Sequence, residues 1–146
     1  MSGFLFLQQK IQDRLRASLD LAGQQSVRVL SAPDLSDIAT LPVPCVIVIF
    51  DGYSIAESAS LGKSARVNQT WLAVVAVRSA SNIKAGDASR AQAGDIADTV
   101  LSSVMGFTAA GCSKPMSLTN PPKAAYEDGF FYLPVAIEAE IYRKST

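Results

Sequence analysis

NQTWLAVVAVRSA, residues Asn68 to Ala80, is the stretch on which the fold turns. Every residue from Trp71 to Val77 is apolar, and three of the seven are valine. At a period of two, Trp71, Ala73, Val75 and Val77 point one way while Leu72, Val74 and Ala76 point the other. A strand with one wet face alternates apolar with polar residues, so a run apolar on both faces belongs in the middle of a sheet. Its shortness, its β-branched content and the polar residues at its ends favour a strand over a buried helical turn. Something must then cover both faces.

Upstream, VPCVIVIFDG (Val43 to Gly52) reads as a second apolar strand, closed by the turn signal Asp51-Gly52. The fifteen residues from Gly52 to Arg66 are rich in Ser, Ala and Gly, and too poorly patterned for a crossover helix. The two strands are therefore expected to be antiparallel neighbours joined by a long loop, of the kind that is functional or mobile. Downstream, Asp128-Gly129 turns into the longest strand, Phe130 to Tyr142. Phe131, Leu133, Val135, Ile137, Ala139 and Ile141 form its apolar face, with Glu138 and Glu140 on the other. Pro134 cannot donate to a ladder, which places this strand at an edge or a bulge. Shorter strands are expected at SVRVLS (Ser26 to Ser31) and Met116 to Leu118, with a loop over Ala32 to Pro44 that takes a helical turn after Pro33.

Two amphipathic helices flank these strands. Phe4, Leu7, Ile11, Leu15, Leu19 and Ala22 recur every three or four residues, and Gly23 follows as a C-terminal cap. A second helix spans about residues 87 to 105. Its stripe is Ala93, Ile96, Ala97, Val100, Leu101, Val104 and Met105, its N-cap Asp87 and its C-cap Gly106. Gly94 in its middle is read as a close-packing position. The expected fold is one α+β domain over residues 1–146, with a mixed, mainly antiparallel sheet of four to five strands and both helices on one face. The other apolar set of the central strands then needs cover from loops or from another subunit.

Composition narrows the function. The chain has 146 residues, 49% apolar and 18% charged, with thirteen basic and thirteen acidic side chains. Balanced charge gives no net field toward nucleic acid or an anionic membrane. The absence of histidine removes Ser-His and Cys-His nucleophilic sites and the commonest metal ligand. Cys45 and Cys112 lie far apart, and Cys45 sits in an apolar run that suits a buried thiol. Phe4 to Leu7 is too short for a signal peptide, and no stretch approaches the roughly 20 apolar residues of a bilayer span. A soluble protein made in the cytosol is expected.

Candidate chemistry is sparse. Leu61-Gly62-Lys63-Ser64 resembles the end of a phosphate-binding loop, but the glycine required five residues before Gly62 is Glu57, whose charge repels phosphate. Glu138 and Glu140, with Glu127 and Asp128 nearby in sequence, allow an acid–base pair to be drawn, yet no nucleophile or cation accompanies them. Asp34 and Asp37 lack a metal-loop pattern. Tyr126, Phe130, Phe131 and Tyr132 cluster beside a turn with Glu127, as core packing or as an interface. No catalytic, cofactor or metal site emerges.

Four stretches in order, VPCVIVIFDG, QTWLAVVAVRSA, AGDIADTVLSSVMGF and YEDGFFYLPVAIEAE, resemble the tail terminator (tail completion) proteins of long-tailed bacteriophages, most closely the Mu-like branch. The likeness spans Leu41 to Tyr142; the N-terminal helix fits in position and type, and Val27 to Thr40 has no counterpart. It implies a small α/β virion subunit without catalysis or cofactor. Such subunits form a homo-oligomeric, hexameric ring on the head-proximal end of the tail tube. The ring ends tube polymerisation and joins the neck. The implied partners are further copies of the chain, the tube protein, the sheath where there is one, and a neck or head-completion protein. No membrane is involved, and nucleic acid only passes through the bore. Lys63 and Arg66, with Tyr126, Glu127, Phe130 and Tyr132, are the candidate interface residues. A head-completion or neck subunit, or another phage-derived binding module of the same fold, is the alternative.

Overall fold

The computed structural model describes residues 3–31, 41–79 and 83–146. In chain order the elements are α1 (Leu7–Leu21), β1 (Arg28–Ser31), β2 (Cys45–Ala59), β3 (Ser64–Arg78), α2 (Ile83–Val104), β4 (Ser117–Thr119), β5 (Ala125–Glu127) and β6 (Phe130–Lys144). The strands form one sheet in the order β1-β2-β3-β6-β4, with β5 also paired to β6. Among the described strands, only β1 and β2 run parallel; the other pairs are antiparallel. The α+β class and the mainly antiparallel sheet agree with the sequence reading, and six strands exceed the four to five expected.

The apolar run Trp71 to Val77 is central, as its two-sided pattern requires. Trp71, Ala73, Val75 and Val77 join Val46 and Val48 of β2 and the odd-numbered residues of β6 in the main core. Leu7, Ile11, Leu15 and Leu19 of α1 and Ile96, Val100 and Val104 of α2 cover that face. The helices are also tied to each other. Arg14 Nε donates to the Ser103 carbonyl at 2.9 Å, and Ser18 Oγ to Ser103 Oγ at 2.7 Å. Gly23 (φ +75) and Gly106 (φ +79) end the two helices in the left-handed conformation expected of them. Ala22 and Met105 lie outside the buried stripes.

The opposite face carries a smaller core of Leu41, Cys45, Ile47, Ala76 and Phe130, with Leu30, Val43, Ile49, Val74 and Tyr132 packed against it. Leu41 and Val43 precede β2, so the chain supplies much of this face's cover itself. Less apolar surface is left over than the strand pattern suggested.

Three expectations change, and one strand is added. Gly52 to Arg66 is no loop: β2 continues to Ala59 and β3 starts at Ser64, with only residues 60–63 turning. The antiparallel pairing was right, and the poor strand formers of β2 are held by their register with β3, itself held by β6 along its full length. Helix α2 begins at Ile83, so Asp87 lies inside it and pairs with Arg90 one turn on, as a helix-surface ion pair and not as a cap. β5, too short to show a period, closes a tight hairpin with β6 through Asp128 (φ 54) and Gly129 (φ 82), the backbone that Asp-Gly favours. A Cβ built at Gly94 meets nothing within 4 Å, so close packing does not account for that glycine. Pro134 falls between the part of β6 paired with β5 (130–132) and that paired with β4 (136–138), where no described strand borders β6 on its outer side. The helical turn after Pro33, like Asp34 and Asp37, lies outside the described residues.

Candidate assembly surfaces

The geometry places each of the candidate chemical groups. Leu61-Gly62-Lys63-Ser64 is the hairpin tip running into β3. No helix N-terminus follows it, so the backbone N–H cradle that binds phosphate is absent there. Glu138 accepts a hydrogen bond from Asn68 Nδ2 at 3.1 Å. Glu140, largely buried, accepts one from Ser113 Oγ at 2.8 Å and lies 3.5 Å from Lys114 Nζ. The Ser113 hydrogen bond, then the Lys114 and Arg66 charges, lower the Glu140 pKa and hold it ionised, the wrong state for a general acid at neutral pH. Glu127 and Asp128 do not adjoin this pair: Glu127 pairs with Phe130, eight residues before Glu138, roughly 25 Å along the strand at about 3.3 Å per residue. Among the described residues no three His, Cys, Asp or Glu side chains gather to hold a metal. Cys45 and Cys112 are both free thiols, and burial pushes the Cys45 pKa up to about 11. Among the described residues, no helix is long and apolar enough to cross a membrane.

The candidate interface residues form two groups at opposite ends of β3. Lys63 projects from the hairpin tip, and Arg66 pairs with Glu57 across β2 and β3. At the other end, Tyr126 is exposed, stacks on Phe131 with centroids 4.7 Å apart, and takes a hydrogen bond from Arg90 Nη1 at 3.3 Å. Glu127 beside it is exposed. Tyr132 is half-buried, its hydroxyl pKa raised first by burial and then by Asp128 and Glu127. Phe130 is only 2% exposed, in the smaller core beneath the Arg78 guanidinium, 5.2 Å from the ring centroid. Its ring is packed inside the chain, unlike the exposed Tyr126.

A larger apolar surface lies where no candidate was placed. The far half of β2 is exposed from Tyr53 onward, and Tyr53, Ile55 and Leu61 stand 60%, 56% and 100% exposed. Phe4 packs edge-on against Tyr53 at 5.2 Å, and Phe4 and Leu5 are exposed next to it. Gln69 anchors this corner: buried on the helix-covered face, it donates to the Phe4 carbonyl at 2.7 Å and accepts from Trp71 Nε1 at 3.0 Å. The signal was there to read, since Tyr53-Ser54-Ile55 alternates like a strand, but Gly52 before it and the serines and alanines after it masked the period. At the other rim of the sheet, an apolar cavity of about 260 Å³ opens between α2, β4 and β6, lined by Leu101, Leu118, Pro121, Leu133 and Pro134.

Exposed apolar groups on the rims of a small α+β domain are the kind of surface that contact with another protein covers. The chain matches the family model described as phage tail terminator protein over residues 1–145. That match includes the N-terminal region, which the likeness of the four stretches had left out. No curated protein matches it. The chain therefore belongs to the phage tail terminator family and is a structural component of the phage tail.

Proposed function

We propose that this chain assembles into a closed ring of identical copies, a hexamer as the family likeness implies, on the head-proximal end of the tail tube. In that place it ends tube polymerisation and forms the joint to the neck, without catalysis or cofactor, after synthesis in the host cytoplasm. Within the family, we assign it to the Mu-like branch that its four stretches resemble. The observation that carries the reading is the family match over residues 1–145. Its physical support is the exposed apolar surface at the rim of β2, which a neighbouring subunit would cover. Lys63, exposed at the hairpin tip, and Arg66 are the residues we assign to contact with a neighbour or the tube.

Purified protein added to polymerising tube subunits tests this. The expected result is shorter tubes, each closed at one end by a ring of six, with reversal of charge at Lys63 and Arg66 reducing capping. Tubes of unchanged length with no bound density would refute the cap. A ring of another order that binds the neck and ignores the tube would establish the head-completion alternative.

A further inference from the structure

We infer that the hairpin tip joining β2 to β3 is a rigid plug, with Leu61 at its point, which seats in an apolar pocket lipped by carboxylates on the end of the tail tube. This deepens the capping reading and rests on it.

The tip departs from what the chain's own stability favours. Ala59 O accepts from Gly62 N at 3.1 Å and Ser60 O from Lys63 N at 3.1 Å, so two turns overlap across residues 60–63. φ is positive at Ser60 (56), Leu61 (60) and Gly62 (82). Turns with this backbone take Asn-Gly by preference, because both residues tolerate it. A leucine in that conformation brings its Cβ too close to the carbonyl oxygen that follows. Being 100% exposed, it gains nothing from packing in return. The residue is therefore unfavourable twice within the chain, once in its backbone and once in the apolar surface it leaves in water. A pocket outside the chain removes the second of these.

The knob is held still. β2, β3 and β6 all run up to the tip, through the row Ala59, Ser64 and Lys144. Ser145 N donates to the Lys63 carbonyl at 2.6 Å and ties the end of β6 to the turn. Little freedom is lost when such a tip docks, so the burial of Leu61 passes almost whole into binding.

Charge says what the pocket is made of. Around the tip the charged side chains are Lys63, Arg66, Arg143 and Lys144 against Glu57. Glu57 is paired with Arg66. Lys63 and Lys144 are exposed and have no carboxylate partner among the described residues. An apolar point flanked by lysines fits an apolar hollow with carboxylates on its lip. A polyanion would take the lysines and leave the leucine in water, so the partner is a protein and not the genome.

Direction selects the tube. Tyr53 and Ile55 lie along the flank of β2, where no described strand borders it, whereas the tip points onward along the strands. A neighbouring copy that covers the flank leaves the tip for the layer stacked on the ring. A plug in that layer's pocket occupies the surface to which the next tube subunit would add, which is what ending polymerisation requires.

The test uses Leu61→Asn, which suits the turn and removes the knob, and Leu61→Met, which keeps an apolar knob of similar volume. Urea unfolding reads stability, native mass spectrometry reads the oligomeric state, and electron microscopy of tubes polymerised with increasing amounts of the protein reads capping. Leu61→Asn should raise the folded-to-unfolded ratio about fivefold and leave the oligomeric state unchanged. The same extent of capping should nonetheless need at least about ten times more of this variant. Leu61→Met should cap like wild type, and Lys144→Gln should flatten the loss of capping with added sodium chloride. Capping by Leu61→Asn equal to that of wild type would overturn the plug and leave the capping reading standing. A changed oligomeric state in that variant would place the tip between copies, and a fall in its stability would contradict the reading of the turn; either overturns the plug as well. Wild-type protein that leaves the tubes unaltered at every concentration would overturn both.

Discussion

Replacing Gln69 with leucine tests whether the buried amide holds the N-terminal corner to the sheet. Leucine fills a similar volume but can neither accept from the Trp71 indole N–H, 3.0 Å away, nor donate to the Phe4 carbonyl, 2.7 Å away. Trp71 is fully buried, so its orphaned N–H finds no water and costs about 1–3 kcal/mol. The Phe4 carbonyl, less enclosed, loses about 0.5–1.5 kcal/mol. Leucine returns part of this through apolar contact, for a net loss of about 1–3 kcal/mol. The melting temperature should fall by about 3–10 °C, at about 2–4 °C per kcal/mol for a chain of this size. Urea unfolding at fixed protein concentration, followed by the fluorescence of the single tryptophan and by circular dichroism, measures the change. A double-mutant cycle with Trp71→Phe isolates the pair and should return a coupling of about 1 kcal/mol. A loss below about 0.5 kcal/mol with no coupling would show that the amide is not what fastens this corner, and the reasoning would fail.

Gly94→Ala should stabilise the protein by about 1 kcal/mol in urea unfolding, since the added methyl meets nothing and the helix gains propensity. Gly111→Ala should do the opposite, by about 1–3 kcal/mol, because φ is +96 and the new Cβ would stand 2.7 Å from the Phe6 ring. Burial raises the Cys45 pKa from 9.0 to about 11, so the folded state holds its proton longer than the unfolded state does. Stability from this group is full below pH 9.0 and falls as pH rises toward 11; Cys45→Ala should flatten that part of the urea-midpoint profile. Glu140 behaves with the other sign. Its lowered pKa adds stability above the ordinary value of 4.5, lost as pH falls through the folded value, and Glu140→Gln should flatten the acid limb.

The middle of the sheet was legible because burial on both faces leaves Trp71 to Val77 no polar position. The odd-numbered face of β6 was legible for the related reason that one buried side imposes strict alternation. The far half of β2 was not. There the strand is set by hydrogen bonding to β3, and its exposed residues are free to be Ser, Ala or Glu. β5 escaped because three residues carry no period, although the Asp-Gly turn that creates it was plain. Asp87 misled because the same carboxylate that caps a helix also pairs with a cation three residues on. Surface roles were the least legible. Phe130 reads in sequence like its exposed neighbour Tyr126, and only the register that turns it toward Ala76 and Cys45 separates them.

The pairing of β3 with both β2 and β6 bears on how the chain is made. Its first neighbour is a hairpin partner and can join as soon as both have left the ribosome. Its second, Phe130 to Lys144, is synthesised more than fifty residues later and meets β3 along its whole length, ending at Ser64 with Lys144. Until that segment emerges, one flank of the central strand stays open and the main core lacks its third wall. A chain stopped before Phe130 therefore cannot close its main core.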